Sequence, residues 1–481
     1  MSAKEIELHL GLDDTDSSEG GCTTYVATLL CEEVLNRLKF VDYPNLVRLN
    51  PNVPYKTRGN GAIALRLKGA HRDIKTFKKN ATNLLMTQIR PNDHAQPCLV
   101  FIEGKIPSSF HEFYKKALRS IISPSKALEI AKAKCATIES FPGFSGSRGI
   151  VGALAAIGWG LSTADYSFEL IAYRIPKYWN ANQRHIDPYS VLEMNRHCSG
   201  TFGNVDMLNK EIKIAPHGPD PVLCGIRANR PEEVLHAWSY LEISEPVFSL
   251  MLFRSNQGTD AHFQRESEIR EIEPYESVVL RGTVASFPKR RIGGHLFFHL
   301  QRGTDTIQCA AYEPTRQFRD KIEQLLPGDE ILAFGGIRPA SKEHPATLNL
   351  EKVNVMRIYP YTKKQNPICP SCRKRLKSAG RNKGYKCKRC SQRFLDLRPE
   401  FISLPVPRVI KEGDWIQPPA RAWRHLTRPL TRSRQLKNWV PDSRRIDHWI
   451  RHERHSFVEE NEIRQKRVKS HSLIRKKSQL S

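Results

Sequence analysis

The sequence lacks any apolar run of about 18 or more residues, so no membrane-spanning helix is expected. The first residues, MSAKEIELHL, lack a basic stretch followed by an apolar one, so no secretory signal peptide is expected. The GK[ST] ending of a Walker loop and internal repeats are also missing. These absences predict a soluble cytoplasmic protein whose phosphate-binding loops are not of the Walker type.

Acidic residues are scarce relative to basic ones. The chain has 50 Asp and Glu against 76 Lys and Arg, a net charge of +26 and a pI near 9.7. Such an excess repels itself unless a polyanion neutralises it, which favours nucleic acid as a partner. The alternative is a basic tail on an ordinary enzyme, because residues 432–477 are rich in Lys and Arg. The length of 481 residues predicts two to four domains.

Cysteine is present in an odd number, eleven, and disulfides are disfavoured in the cytoplasm. Seven cysteines are isolated and are expected to be buried thiols. The other four form two CxxC pairs 14 residues apart, a spacing typical of a zinc ribbon: Cys369, Cys372, Cys387 and Cys390. Four thiolates complete the coordination of Zn²⁺, so the metal should be structural. The Lys- and Arg-rich segment between the pairs predicts contact with a phosphate backbone.

An OB-fold barrel is predicted upstream of the ribbon. Between residues 273 and 361 the sequence has five short strand-like segments, a helical insert near RQFRDKIEQ and a Pro-Gly-Asp turn. A barrel of this kind beside a basic ribbon is suited to looped or single-stranded nucleic acid. Candidate contact residues, each equally consistent with core or plain surface, are Phe287, Arg290, Arg291, His295 and Phe297.

An acidic cluster lies near the amino end. EIELHL alternates like a half-buried strand, and helical spacing of apolar residues begins at Thr24. The loop between them carries Asp13, Asp14 and Asp16, with no Lys or Arg close in sequence. Such carboxylates would repel one another, and Mg²⁺ held by Asp13 and Asp14 would relieve this repulsion. The alternative is an Asp-rich turn that caps the helix.

Three glycine-containing segments can supply phosphate contacts. GGCTT enters a helix, KTRGNGA precedes a strand and SGSRGIVGA opens a helix. The predicted nucleotide-binding residues are Gly20, Gly21, Lys56, Arg58, Gly59, Asn60, Gly61 and Arg148. Two further loops, RSNQGTDAHF and HGPDPVLCGIR, are equally consistent with substrate binding and with well-bonded connections.

A family resemblance rests on GLDDTDSSEGGCTTY, TRGNGA, SRGIVGALAAIGW, DPVLCGIR, RSNQGTDAH and PPARAWRHLTRPL, in this order, with the OB-like region and the paired CxxC. Over roughly residues 5–430 the chain resembles the archaeal agmatidine synthase family, 2-agmatinylcytidine synthetases that act on an isoleucine tRNA. The resemblance implies a multidomain α+β protein. The implied parts are a kinase-like α/β ATP/Mg domain at 1–140, a ferredoxin-like domain at 141–268 that can interleave with the first, an OB-fold at 269–361, a zinc ribbon at 362–400 and a basic region at 401–481.

The resemblance also implies a reaction. An ATP-dependent ligase would replace the C2 oxygen of the wobble cytidine in a CAU-anticodon isoleucine tRNA with agmatine, so that the anticodon reads AUA. Phosphorylation from ATP would turn that oxygen into a leaving group, and agmatine's amine would then attack C2. The implied catalytic residues are Asp13, Asp14 and Asp16 with Mg²⁺, together with Thr23, which matches a threonine that becomes phosphorylated in the family. Asp220 or Asp260 would receive agmatine's guanidinium.

Two alternatives stay open on the sequence. One is a non-catalytic nucleic-acid-binding protein built on the OB barrel and the ribbon. The other is a related enzyme that uses a different amine, such as lysine, whose carboxylate would need a basic pocket. The sequence departs from the family pattern at Trp415, where a tyrosine-like residue is expected, and in a longer tail after Thr431.

Overall fold

The computed structural model describes residues 5–16, 21–35, 37–56, 59–88, 95–134, 136–140, 148–160, 165–380, 382–404, 406–432 and 450–452. These residues form two compact units. The first comprises the described residues within 1–265, 273–278 and 419–481, and the second comprises those within 266–272 and 279–418.

The described residues form short and long strands with eight α-helices among them. The strands are β1 (Glu5–Asp13), β2 (Lys39–Phe40), β3 (Asn45–Arg48), β4 (Gly61–Ala70), β5 (Cys98–Glu103), β6 (Thr137–Ser140), β7 (Ser167–Arg174), β8 (Val205–Asp206), β9 (Glu211–Ile212), β10 (Val222–Ala228), β11 (Val247–Ser255), β12 (Ser277–Val284), β13 (Lys289–Arg290), β14 (Leu296–Arg302), β15 (Asp305–Ala311), β16 (Glu330–Arg338), β17 (Thr347–Arg357), β18 (Tyr361–Gln365), β19 (Lys377–Ser378), β20 (Tyr385–Lys386), β21 (Arg393–Phe394), β22 (Glu400–Leu404), β23 (Trp415–Ile416) and β24 (Ile450–His452). The helices are α1 (Thr23–Leu35), α2 (His71–Gln88), α3 (Ser108–Ala117), α4 (Pro124–Lys132), α5 (Gly149–Gly158), α6 (Pro188–His197), α7 (Pro231–Trp238) and α8 (Gln317–Ile322).

The first unit is built on one large sheet in the order β10-β7-β11-β3-β4-β1-β5-β6, with β2 on β4 and β24 on β11. Neighbouring strands are antiparallel except β11 and β3, which pair in parallel with Arg254 opposite Asn45. Strands from the predicted kinase-like and ferredoxin-like regions therefore belong to the same sheet. The predicted α/β alternation at the amino end is confirmed, and the acidic cluster lies in the β1–α1 connection.

Strand β1 lies inside this sheet and is covered on both faces. Leu10 and Leu12 are fully buried, and the pleat points the residue between them, Gly11, to the opposite face. There β1 meets α5: a Cβ added to Gly11 would lie 2.1 Å from the backbone oxygen of Ala153. The small residues of α5 (GIVGALAAIG) allow this close packing of helix on strand. The packing places the amino end of α5 beside the end of β1.

The second unit contains the predicted OB-fold barrel. Its strands run in the order β12-β16-β17-β15-β14-β13, and an additional pairing of β12 with β14 closes five long strands into a barrel. Helix α8 lies between β15 and β16, where the sequence predicted a helical insert. The Pro-Gly-Asp turn before β16 has Gly328 at φ 106°, a backbone conformation that favours glycine.

The ribbon follows the barrel in the chain. Strands β19, β20 and β21 form a small antiparallel sheet, and β18 pairs separately with β22. The small buried core of the ribbon comprises Cys369, Leu376 and Cys387.

None of the helices in the described part of the chain combines the length and apolar character that crossing a membrane requires. Of the predicted basic C-terminal region, residues 433–449 and 453–481 lie outside the described residues.

Candidate active site

Asp13, the last residue of β1, lies against the amino end of α5. A Cβ added to Gly152 of that helix would come within 1.8 Å of Asp13 Oδ2, so only glycine permits this approach. Burial raises the pKa of the Asp13 carboxyl well above its usual value, and the charge of Asp14 raises it further. The protein therefore places Asp13 where an ionised carboxylate needs additional positive charge.

Asp14 begins the loop, in a left-handed backbone conformation with φ 58°. Its Oδ2 accepts hydrogen bonds from Arg148 Nε at 3.2 Å and Nη2 at 3.1 Å, and from the Gln96 backbone N–H at 3.3 Å. Burial raises the pKa of Asp14, although Arg148 opposes that shift. No Lys or Arg is close to the cluster in sequence, and the expectation that no basic residue pairs with it is wrong. Arg148 is remote in sequence but adjacent in space.

Thr23, the first residue of α1, carries a buried hydroxyl group in a chain of hydrogen bonds. Thr15 Oγ1 donates to Thr23 Oγ1 at 3.0 Å, and Thr23 Oγ1 donates to Asp16 Oδ1 at 3.3 Å. Gly21 turns the chain into the helix at φ 83°, and a Cβ there would lie 2.5 Å from Thr15 O. The structure thus brings a hydroxyl and a carboxylate together beside Asp13 and Asp14.

These groups open into one cavity of about 640 Å³. The predicted site residues that line it are Asp13, Asp14, Asp16, Thr23, Lys56, Gly59, Asn60, Gly61 and Arg148. Burial lowers the pKa of Lys56, and the charge of Arg424 adds to the shift. Gly21 is not part of the lining, and Gly20 and Arg58 lie outside the described residues.

A cationic part of the cavity wall was not predicted. Arg48 of β3 and Arg227 of β10 share one buried carboxylate, Glu169 of β7, at 3.8 and 3.0 Å. His425 lies beside them, and the positive charge of Arg48 holds the pKa of His425 well below its usual value. The available signal was a charged residue inside an apolar strand, as in LVRLN and SFELIAYRI. The grouping of these residues could not be predicted, because they lie on strands and loops that are far apart in the sequence.

The two carboxylates suggested for a guanidinium differ in position. Asp220 lines the same cavity, and its Oδ1 accepts a hydrogen bond from the Val222 N–H at 2.8 Å. Asp260 is not among the lining residues, and its Oδ1 accepts from the Arg428 N–H at 2.7 Å. Of the two, Asp220 is therefore the one positioned to meet a ligand in the cavity.

The acidic cluster suits Mg²⁺ by its chemistry. Asp13 and Asp14 offer the hard carboxylate oxygens that Mg²⁺ prefers, typically one or two alongside substrate phosphates. The pKa of Asp13 stays raised although the charge of Arg148 opposes the shift. An ionised Asp13 therefore lacks enough positive charge nearby to balance it. A divalent cation with a polyphosphate fits this combination of buried acid and adjacent cation.

The four ribbon cysteines suit Zn²⁺. Their sulfur atoms all lie within 4.8 Å of one another, with Cys369 and Cys390 at 3.6 Å and Cys372 and Cys387 at 3.3 Å. A tetrahedral zinc with Zn–S bonds of about 2.3 Å needs sulfur atoms about 3.8 Å apart. The predicted structural zinc site is confirmed in its ligands.

Several of the side chains predicted to contact nucleic acid on the barrel already contact other residues of the second unit. Arg290 forms ion pairs with Asp320 and Glu323, and Arg291 lies 4.7 Å from the ring centre of Phe297. Phe287 is 42% exposed and meets Tyr361 edge-on, which leaves part of its ring able to stack on a base.

Comparison with known protein families matches four parts of the chain. Residues 9–140 match the TiaS TCKD domain, residues 147–262 the TiaS FLD domain, residues 278–356 an OB-fold nucleic acid binding domain and residues 366–410 the TiaS C-terminal zinc ribbon domain.

Full-length relatives share one name, the 2-agmatinylcytidine synthetase TiaS that acts on an isoleucine tRNA. The chain is 39% identical over 449 residues to the TiaS of Staphylothermus marinus, covering 91% of this chain and 96% of that protein. It is 40% identical over 432 residues to the TiaS of Pyrococcus horikoshii, covering 88% and 96%.

A solved structure of TiaS in complex with its isoleucine tRNA, AMPCPP and agmatine is similar to this chain, with a TM-score of 0.74 and 31% identity over 91% of this chain and all of that one. An apo TiaS structure gives a TM-score of 0.72 and 34% identity over 89% and 98%.

Proposed function

This chain belongs to the TiaS family of 2-agmatinylcytidine synthetases that act on an isoleucine tRNA, and we propose that the acidic cluster and Thr23 are its catalytic centre. The enzyme uses ATP and agmatine to convert the wobble cytidine of the CAU-anticodon isoleucine tRNA to agmatidine. The observation that carries the proposal is the convergence of three aspartates, Thr23 and Arg148 on one cavity of about 640 Å³. Two further findings support the proposal. The similarity extends over nearly the full length of the relatives, and relatives form complexes with isoleucine tRNA together with ATP or with AMPCPP and agmatine.

The chemistry explains why buried acids and cations are needed together. The C2 oxygen of cytosine must become a leaving group, and phosphorylation from ATP achieves this. Phosphoryl transfer depends on positioning and on neutralising the phosphate charge. Asp13 and Asp14 would hold Mg²⁺, which supplies that neutralisation when bound. Phosphate contacts are assigned to Gly20, Gly21, Lys56, Arg58, Gly59, Asn60, Gly61 and Arg148.

Thr23 has the arrangement of a phosphoryl acceptor. Its hydroxyl donates to Asp16 Oδ1 at 3.3 Å, so the carboxylate can take the proton as the oxygen attacks phosphorus. This agrees with the family resemblance, in which the matching threonine becomes phosphorylated.

The second unit serves to hold the tRNA. The zinc-bound ribbon is rich in Lys and Arg, and the barrel carries the exposed Phe287. We also assign the domain boundaries 1–140, 141–268, 269–361, 362–400 and 401–481, and a cytoplasmic location, where tRNA resides. A non-catalytic RNA-binding role is not favoured, because such a protein has no need of the buried acidic cluster.

The test of the centre is Asp14→Asn, measured by nucleoside mass spectrometry of isoleucine tRNA incubated with ATP and agmatine. The variant should lose roughly 10²-fold or more of the agmatidine-forming rate while tRNA affinity is unchanged. Glu112→Gln, an exposed acid on α3 that pairs with Lys115, is the matched control. A fully active Asp14→Asn enzyme would show that the metal and nucleotide site lies elsewhere.

A further inference from the structure

A hydrogen-bonded relay connects a buried carboxylate to the cavity. Glu169 is 3% exposed and forms its ion pair with Arg227 at 3.0 Å. Gln257, fully buried in the NQGTD loop, bonds through Nε2 to Glu169 Oε2. Gln257 Oε1 lies 3.1 Å from His425 Nδ1. The relay therefore runs Glu169–Gln257–His425 and ends at a ring that lines the cavity.

The relay determines the tautomer of His425. A carboxylate paired with arginine only accepts hydrogen bonds, so the amide nitrogen of Gln257 must face Glu169 and its oxygen must face the histidine. That oxygen is itself only an acceptor, and His425 Nδ1 must therefore carry the hydrogen. In a neutral imidazole the second nitrogen, Nε2, is then an unprotonated acceptor.

His425 is exposed and lines the cavity. Nε2 makes no hydrogen bond to any residue within the described ranges, and the ring borders the cavity. A Cβ added to Gly59 would lie 2.5 Å from Nε2. Glycine at this position therefore leaves the edge of the ring accessible.

The charged surroundings keep this acceptor neutral. The positive charge of Arg48, with smaller contributions from Arg227 and Arg424, holds the pKa of His425 well below its usual value. Glu169, which reaches the ring through Gln257, is the balancing carboxylate. The same arginines disfavour an ammonium group beside the ring, so a primary amine that binds there is favoured in its neutral, nucleophilic form.

We propose that His425 is a catalytic residue of the second half-reaction, whose Nε2 accepts the N–H of the attacking amine and removes its proton. The inference rests on the proposed function. The amine nitrogen forms a bond to C2 while the bond from C2 to the phosphorylated oxygen breaks, and phosphate leaves with that oxygen. One proton of the amine passes to Nε2. The neighbouring arginines destabilise the resulting imidazolium, which passes the proton on to phosphate or water.

Two variants of His425 separate its two nitrogens. His425→Asn keeps a donor at the Nδ1 position, and hence the bond to Gln257, but removes the acceptor in the cavity. His425→Gln places an amide near the Nε2 position, where its oxygen can accept a hydrogen bond but cannot take a proton. Both are assayed for ATP-dependent phosphorylation of the tRNA without agmatine, and then for kcat and KM with agmatine.

The expected result is a split between the half-reactions. Both variants phosphorylate the tRNA at close to the wild-type rate, while His425→Asn loses roughly 10²-fold or more in the agmatine-dependent rate. His425→Gln recovers the KM for agmatine but not the rate. Wild-type kcat and KM in His425→Asn overturn the proposal, and a fully restored rate in His425→Gln overturns the proton-transfer role. Failure of the wild-type enzyme to form agmatidine would instead refute the proposed function.

Discussion

At the scale of single residues, the electrostatics of Asp13 and Asp14 support the proposal that this site binds a metal and a nucleotide. Two largely buried carboxyl groups lie beside one guanidinium, Arg148, so when both are ionised they carry more negative charge than Arg148 balances. Burial makes each ionised carboxylate costly, and it raises the pKa of the Asp13 carboxyl well above its usual value. A metal ion bound at these carboxylates would relieve this cost, which is the physical reason for proposing one there.

Asp13→Asn should stabilise the metal-free protein. With ATP and agmatine present, the same variant should not form agmatidine. Because the pKa of Asp13 is raised in the folded state, wild type in EDTA binds more protons folded than unfolded and loses stability as pH rises through that pKa. Asparagine cannot ionise, so the variant should have the higher melting temperature at pH 8 and a smaller difference at pH 5. Thermal unfolding at both pH values checks this, and a variant less stable than wild type at pH 8 would contradict it.

At the scale of secondary-structure elements, helix α5 organises the site from both of its ends. Its amino end approaches Asp13, and Gly152 makes that approach possible. At the other end, Arg66 of β4 donates to the backbone oxygens of Ile157 and Trp159, which have no partner within the helix. Arg66 is fully buried, and it thus holds the carboxyl end of α5 against the sheet.

Arg66→Met should destabilise the first unit by about 3 kcal/mol, because the backbone oxygens of Ile157 and Trp159 and Asn45 Oδ1 would lose their buried donor. The matched control is Arg72→Met, at the exposed start of α2 with its side chain 92% accessible, expected to change stability by less than about 0.5 kcal/mol. Urea unfolding of the two variants measures the difference. Equal stabilities would contradict the capping role of Arg66.

At the scale of the whole molecule, residues 419–432 return to the first unit after the chain has passed through the second unit. The backbone N–H groups of Gly258 and Asp260 donate to the oxygens of His425 and Leu426 at 2.9 and 2.8 Å. Arg432 holds this segment by bonding Asp165 through both of its terminal nitrogens at 3.0 Å. The cavity therefore needs residues from both ends of the chain.

The zinc ribbon should depend on its metal independently of the first unit. Its buried core is too small to fold without zinc, so Cys387→Ser should lower zinc content from about one per chain to near zero. The ribbon should become protease-sensitive, and tRNA affinity should fall roughly tenfold or more. Cys198→Ser, a buried thiol of the first unit, is the control that keeps its zinc. Elemental analysis, limited proteolysis and a binding titration provide the three measurements.

Local patterns in the sequence were sufficient to predict many of the secondary-structure elements and the zinc-binding cysteines. The paired CxxC gave the zinc ligands, the alternation and turn residues between 273 and 361 gave the barrel, and the change of period near Thr24 placed Asp13, Asp14 and Asp16 in a strand-to-helix loop. Each of these signals spans a few residues, and secondary structure follows from such short periods. The predicted roles of the site residues stay predictions until Asp14→Asn is tested.

Contacts between residues that are distant in the sequence could be identified only in the tertiary structure. The pairing of Arg148 with Asp14, the sharing of Glu169 by Arg48 and Arg227, and the approach of His425 depend on the order of strands in the large sheet and on the return of residues 419–432. No short period encodes which strands become neighbours, because that choice minimises the free energy of the whole core. The sequence therefore located the acidic cluster, and the tertiary structure determined which cations and which histidine line the same cavity.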